Sequence, residues 1–530
     1  MFTLRRGHAS ASLSGRWRRS ALSLLAIVAL FGIGLVTQRA ATAAPPTVVS
    51  LTFDDGNADQ MNAVPILQQA GMKGTFYIIS GVVGAPNYVT LANLSTIAAA
   101  GNEIGGHTVT HPDLTTVPSD EVQRQVCDSR VALSNWGFRV TSFAYPYAAL
   151  NANTETVVKN CGYNSARSLG DIKSAHSDPG VSAASGTIPP ADPYNLAAVD
   201  EIDSTWTLAQ MESVVTTAER RGGWVPFTIH HVCPGSVTNC GDGLSISSTQ
   251  LTSFLTWLKT RPTTTSVKTV DQVIGGTVKP LVSGPPATTT TTLANPSLET
   301  AGTPPFPQCW FPGGYGTNTP TWTRPNTGAH TGTYSQQLDL SGYSSGDAKL
   351  LPTFDLGSCS PAIAPGRTYT LGAWYKSSAV TQFALYYRNT AGAWAYWTSS
   401  PWFAAAPTTW TQATWTTPAA PADAAGISFG LNAFANGSLT TDDYSIVPVA
   451  TAASAATAAS AVGPTVAAAR AAADASATPA GPTVAAARKA QPPDKGHPHH
   501  RHFSKNNRGY VPGGKSLRPG QRIAVPFLPD

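Results

Sequence analysis

Two adjacent carboxylates, Asp54 and Asp55, close the apolar run VVSLTF at 48–53, and two imidazoles four residues apart, His107 and His111, follow NEIGG at 102–106. A second histidine pair, His230 and His231, ends the run WVPFTI at 224–229. Neighbouring carboxylates repel, and burial raises that cost unless something pairs with them. Asp54–Asp55 is therefore either a solvated Asp-Gly turn or half of a cation site. The His-x-x-x-His spacing aims two imidazoles at one ion, and two imidazoles with one carboxylate form a facial triad that keeps positions open for water and substrate. That accounts for one Asp. A calcium loop on Asp55, Asn57 and Asp59 is excluded, because the sixth and twelfth positions, which need Gly and Glu, are Gln60 and Ile66.

These residues need strand ends that open on one face. From Pro45 to Gly276, β-branched runs alternate with amphipathic ones: TVVSLTF, then MNAVPILQQAG with Gly71 as a stop, KGTFYII, LANLSTIAAAG, NEIGGH, and a helix started by Pro118, Ser119, Asp120 and Glu121. In that helix Val122, Val126 and Leu133 share a face. TSFAYPY, GYNSARS and WVPFTIHH read as further strands. Such alternation predicts parallel strands in a barrel or a doubly wound sheet; in a barrel, the C-terminal strand ends carry the site.

After a Pro/Thr-rich linker at 277–292 the texture changes. Residues 293–448 hold eight of the thirteen tryptophans and alternate apolar with polar, as antiparallel strands of a β-sandwich do. Residues 449–530 are first Ala-rich, with GPTVAAAR at 463–470 and again at 481–488, and then basic; they lack the large apolar side chains of a core and are expected to be disordered.

Arg16, Arg18 and Arg19, an uncharged run from Ala21 to Val36 and Ala41-Thr42-Ala43 form a signal-peptide pattern over 1–43, shorter than a spanning helix. This predicts a secreted, extracellular or wall-associated protein with no stable membrane span after cleavage. Export permits disulfides; six cysteines allow fifteen connectivities, among which proximity within domains suggests Cys127 with Cys161, Cys233 with Cys240, and Cys309 with Cys359. Residues 1–43 hold six Arg and no acid, and residues 489–530 carry +6, so the total of +5 leaves −7 on the body between them. An acidic body excludes nucleic acid as the natural partner, and the basic tail suits an anionic cell wall.

The residues carry a resemblance to the polysaccharide deacetylase family, whose domain is the NodB-homology or carbohydrate esterase family 4 domain. TFDDG at 52–56, HTVTH at 107–111, YPY at 145–147 and FTIHH at 227–231 match its motifs in order over 45–276. The resemblance implies a distorted (β/α)7 barrel. It implies that Asp55, His107 and His111 hold a divalent metal, usually Zn2+, sometimes Co2+. Asp54 would be the general base, His230 the general acid, and the Tyr147 amide, in a turn shaped by Pro146, an oxyanion donor. The sequence departs from the pattern at Ala144, where the family carries an Arg that pairs with the base; Arg167 in NSARS is the replacement candidate. The family's Asp-Trp element, which tunes the acid His, has only Asp171, Asp200 and Asp203 as candidates.

The second domain resembles galactose-binding-like carbohydrate-binding sandwiches more loosely, through ANPSLE and TTDDYSIV; the likeness implies a structural Ca2+ at Glu299 and Asp443. The chemistry expected is removal of N-acetyl groups from N-acetylglucosamine-type glycans, chitin or cell-wall glycan, by metal-activated water. The alternatives are an O-acetyl (xylan) esterase and a catalytically impaired carbohydrate- or wall-binding protein.

Overall fold

The computed structural model describes residues 46–449. The expected signal peptide at 1–43 and the tail from Ala450, with its expected wall contact, lie outside the described residues. Among the described residues no helix is long and apolar enough to cross a membrane.

The first module runs β1 (Thr47–Phe53), α1 (Ala63–Ala70), β2 (Gly74–Ile78), α2 (Leu91–Ala99), β3 (Glu103–Gly106), α3 (Ser119–Gln123) and α4 (Ser129–Asn135). It continues with β4 (Ser142–Ala144), α5 (Ala152–Asn160), β5 (Ser165–Arg167), α6 (Leu208–Glu219), β6 (Gly223–Ile229), β7 (His231–Cys233), β8 (Ser245–Ser247), α7 (Ser248–Lys259), β9 (Thr265–Val267) and α8 (Val270–Ile274). The sheet order is β5-β4-β3-β2-β1-β6, with β9 beside the first half of β1, and every pairing is parallel. Every residue of β1 is buried, as a parallel strand covered on both faces requires. The sheet curls toward a distorted barrel. Between β5 and β6 no strand closes the ring; the irregular segment 196–201 spans the gap through single parallel bridges, Leu196 to Arg167 and Glu201 to Thr228.

Local signals explain the helices. Gly71 ends α1 in the left-handed region at φ 68°, and Thr90, Asn151, Thr207 and Thr269 form reciprocal capping boxes. Val122, Val126 and Leu133 are fully buried on one face. A π-turn at Arg124–Asp128 joins α3 to α4. The three disulfides are Cys127–Cys161, Cys233–Cys240 and Cys309–Cys359.

The segment expected to be a plain linker is an extended strap docked on the first module. Buried Arg130 donates to the carbonyls of Lys279 (2.8 Å) and Pro280 (3.0 Å), and Asp128 accepts from the Gly284 amide at 2.7 Å. Its prolines lack the N–H groups of a β ladder, and Arg130 and Arg124, the latter donating to the Pro285 and Pro286 carbonyls, satisfy the strap's carbonyls instead.

The second module pairs two five-stranded antiparallel sheets. One has the order β10 (Trp310–Tyr315), β13 (Asp347–Pro352), β18 (Ala424–Ala433), β15 (Phe383–Asn389), β16 (Trp394–Ser399). The other has β11 (Thr319–Thr323), β12 (Gln336–Ser341), β19 (Gly437–Pro448), β14 (Tyr369–Ser377), β17 (Ala406–Thr416). Leu371, Tyr375, Phe383, Leu385, Phe429 and Leu431 pack between them as the core of a sandwich.

Candidate active site

The site is assembled from five strand ends, those of β1, β3, β4, β5 and β6. β1 delivers Asp54 and then turns sharply, with Asp55 at φ 76° and Gly56 at φ 78°. Left-handed backbone is unfavourable for Asp, and here it turns the second carboxylate away from the first. A side chain at Gly56 would lie 3.2 Å from Ile78 Cδ1 in addition to the backbone strain. β3 delivers His107. Thr108 and His111, at φ 67° and 63°, fold the HTVTH loop back on itself, and Thr108 Oγ1 accepts from the His111 amide at 2.8 Å.

Asp55 Oδ1 lies 3.3 Å from His107 Nε2 and 3.4 Å from His111 Nε2, and the two Nε2 atoms are 3.1 Å apart. His107 Nδ1 lies 2.7 Å from the Ala144 carbonyl, which only accepts, so Nδ1 carries the proton and Nε2 presents a lone pair. Asp55 Oδ1 is buried and accepts no hydrogen bond. Three electron-rich atoms thus face one point. Ligands about 2.1 Å from a common ion at angles of roughly 90–110° stand about 3.0–3.4 Å apart, so the triangle fits a transition-metal ion. Among the described residues this is the one group of three or more His, Cys, Asp or Glu side chains close enough to hold a metal.

The electrostatics agree. Burial alone would raise the Asp55 carboxyl, but the charges of His111, His107 and His230 hold it well below the usual carboxylate range. Burial pushes His111 down to about 4. Burial also acts to lower His107, but the neighbouring Asp55 and Asp54 carboxylates and the Ala144 carbonyl together outweigh it and leave that imidazole above its ordinary value. The centre therefore calls for positive charge at the point between Asp55 and His107.

Asp54 is buried, and Arg167 Nη2 donates to its Oδ2, while Oδ1 has no hydrogen-bond partner. Arg167 is the β5 register partner of Ala144 on β4. Its guanidinium also donates to Thr228 Oγ1 and the Ser168 carbonyl, both at 3.1 Å, and its Cζ lies 5.3 Å from the Tyr77 ring centroid. The position occupied by Ala144 is thus served from the next strand, and the Ala144 carbonyl orients His107 instead.

His230 and His231 face opposite ways. His230 is close enough for its charge to act on Asp55 and His111, and its Nδ1 has no hydrogen-bond partner. His231 turns to Asp59, Nδ1 to Oδ2 at 2.7 Å. Pro146 begins a turn in which Tyr147 and Ala148 are left-handed, at φ 57° and 53°. The Tyr147 hydroxyl lies 3.1 Å from His111 Nδ1. Of the candidates for the Asp-Trp element, Asp171 accepts from Ser168, Asp203 caps Thr205, and Asp200 is buried.

Three contributors escaped the sequence reading. Gln60 Nε2 donates to the Asp54 and His230 carbonyls, and Asn57 Nδ2 to the His230 carbonyl at 3.1 Å, tying β1 to β6 beneath the site. Gln125 Oε1 accepts from the Val109 and Thr110 amides at 3.1 and 2.9 Å, bracing the HTVTH loop. Its signal was its place three residues after Val122, on the inward face.

In the second module Glu299 Oε1 accepts from the Thr333 and Tyr334 amides at 2.9 Å, and Asp443 accepts from Thr331 at 2.7 Å and lies 2.5 Å from His330 Nδ1. Both carboxylates clamp the 330–334 loop. The two carboxylates expected to hold a structural Ca2+ thus meet the same loop.

Comparison with known proteins places this geometry. A sequence model described as Polysaccharide deacetylase matches residues 41–166. YxkH of Bacillus subtilis (strain 168), whose name assigns it provisionally to the polysaccharide deacetylases, is 30% identical over 117 residues, 22% of this chain and 42% of its own. A chitin deacetylase of Pestalotiopsis sp is 29% identical over 121 residues, 22% of this chain and 40% of its own. The peptidoglycan-N-acetylglucosamine deacetylase PgdA of Listeria monocytogenes serotype 1/2a (strain 10403S) is 29% identical over 107 residues, 19% of this chain and 22% of its own. The chain spans less than half the length of each of these relatives.

Proposed function

We propose that this chain, which carries a polysaccharide deacetylase domain, is a metal-dependent hydrolase that removes N-acetyl groups from glycans of the N-acetylglucosamine type, chitin or cell-wall glycan. The observation that carries the proposal is the Asp55–His107–His111 triangle beside a buried Asp54 with one anchored and one unengaged oxygen. A bound divalent ion, proposed as Zn2+ from its two imidazole donors and one carboxylate, would polarise the acetyl carbonyl and acidify water.

The chain's own residues do the rest. Arg167 fixes Asp54 Oδ2, so Oδ1 is left to take the water's proton. The left-handed turn at Tyr147 is the proposed oxyanion-binding element. His230, its carbonyl held by Asn57 and Gln60, is the proposed donor of a proton to the leaving amine. The Arg167–Asp54 pair supports an active domain over the catalytically impaired reading, which was motivated by Ala144.

We further propose secretion, supported by the signal-peptide pattern and the three disulfides, with the basic residues 489–530 meeting an anionic wall. The deciding experiment is acetate release from chitooligosaccharides, peptidoglycan fragments and acetylated xylan, with and without chelator. Chelator-sensitive release from the first two supports the amide reading, release from xylan alone replaces it with an esterase, and no release from any of them overturns it.

A further inference from the structure

We infer that the β-sandwich forms one wall of the substrate cleft, so that an extended, uncharged acetylated glycan is held between the metal triangle and an aromatic face of the second module. This rests on the deacetylase reading above and names the shape and charge class of its substrate. A cavity of about 1170 Å³ is lined from the catalytic side by His111, Tyr147 and Tyr88 and from the sandwich by Phe306, Phe354 and Trp394. His111 belongs to the metal triangle, so the cavity is continuous with the chemistry. Its volume exceeds the roughly 300–1,000 Å³ of small-molecule sites. Its lining contains no Lys or Arg, while Asp113, Glu121 and Asp355 are present, which disfavours a polyanionic chain.

The two walls are fixed relative to each other. The Leu356 amide donates to Glu121 Oε1 at 2.8 Å, and Arg124 and Asp120 both bond Ser358. Gly392, at the tip of the β15–β16 hairpin, sits against Val109 in the metal loop so closely that a Cβ there would fall 2.6 Å from Val109 Cγ1. Trp394 is rigid, stacked on Phe354 at 4.7 Å and 11° with its Nε1 donating to the Asp355 carbonyl at 3.2 Å. A flat, pre-oriented aromatic matches the apolar face of a sugar ring and costs little entropy on binding.

The test uses the full chain and chitooligosaccharides of increasing length, with KM and kcat read from acetate release and folding checked by thermal melting. In the wild type, KM falls as the oligosaccharide lengthens. In Trp394→Ala the KM of the longest chains rises about three- to tenfold, so the length dependence flattens. Phe306→Ala, at a half-buried position, gives the same flattening and carries the test if Trp394→Ala does not fold. A wild type that releases no acetate overturns the deacetylase reading. An active wild type whose variants keep its full length dependence overturns the inference alone.

Discussion

Arg167 donates to Asp54 across 113 residues of sequence, both side chains being buried. The contact joins β5 to the end of β1 across the inside of the barrel, and it places a fixed positive charge behind the carboxylate assigned as base. Removing one member of a buried pair leaves the other charge uncompensated.

Arg167→Ala is accordingly expected to destabilise the fold by about 3–5 kcal/mol. Arg167→Lys keeps the charge but cannot span Asp54, Thr228 and the Ser168 carbonyl together. It is expected to fold, retain metal and lose at least about tenfold in kcat, a barrier increase of roughly 1.4 kcal/mol. Steady-state kinetics with metal analysis of the same sample decide this; an unaltered kcat would remove Arg167 from the site.

Asp54 and His107 should separate in their effects. Asp54→Asn leaves the triangle intact, so metal content stays stoichiometric while turnover falls by roughly 10²–10⁴-fold. His107→Ala removes a ligand, so metal content falls along with activity. Elemental analysis after dialysis distinguishes the two, and metal loss in Asp54→Asn would reverse the assignment of the two aspartates.

Gln125 touches neither substrate nor metal, but it holds the amides of Val109 and Thr110 and is itself bonded to Glu121 at 2.9 Å. Gln125→Ala should weaken metal affinity about 10–100-fold, the usual cost of losing support behind a ligand. Titration calorimetry with Zn2+ in the absence of substrate reads this directly.

Glu219 offers a pH test of stability remote from the site. Hydrogen bonds from Arg261, Thr265 and Thr264 hold its carboxyl down at about 2. A depressed carboxyl stabilises the fold fully above its unfolded value of about 4.3, and the contribution is lost as pH falls toward 2. Glu219→Gln should therefore lower the stability at pH 7 by roughly 1 kcal/mol after allowance for solvent screening, read as a lower melting temperature. The difference from wild type should vanish near pH 2, and a constant difference across that range would show that the pair does not titrate as described.

Much of the site was legible in the sequence because its signals are local. An apolar strand that ends on Asp54–Asp55, a His pair after Gly105–Gly106, and the Pro146–Tyr147 turn are each contained in a few residues, and parallel topology carries such strand ends to one face. The cysteine pairs were readable for the same reason, since each lies within one module. The two-residue period of a strand set His230 and His231 on opposite faces, but not which face was the cleft.

What only the tertiary structure decided depends on contacts between distant segments. Arg167 replaces the missing guanidinium because β5 pairs with β4 in a register that puts it beside Ala144, and register between strands is written in no single segment. Gln60 and Gln125 act through backbone groups that become neighbours only when the barrel curls. The Pro/Thr segment read as a spacer becomes a strap because Arg124 and Arg130, buried in another element, need its carbonyls. The sequence alone determined the kind of chemistry by placing the reactive side chains. The packing of the two modules determined the cleft, since a surface shared by two domains exists only after both have folded.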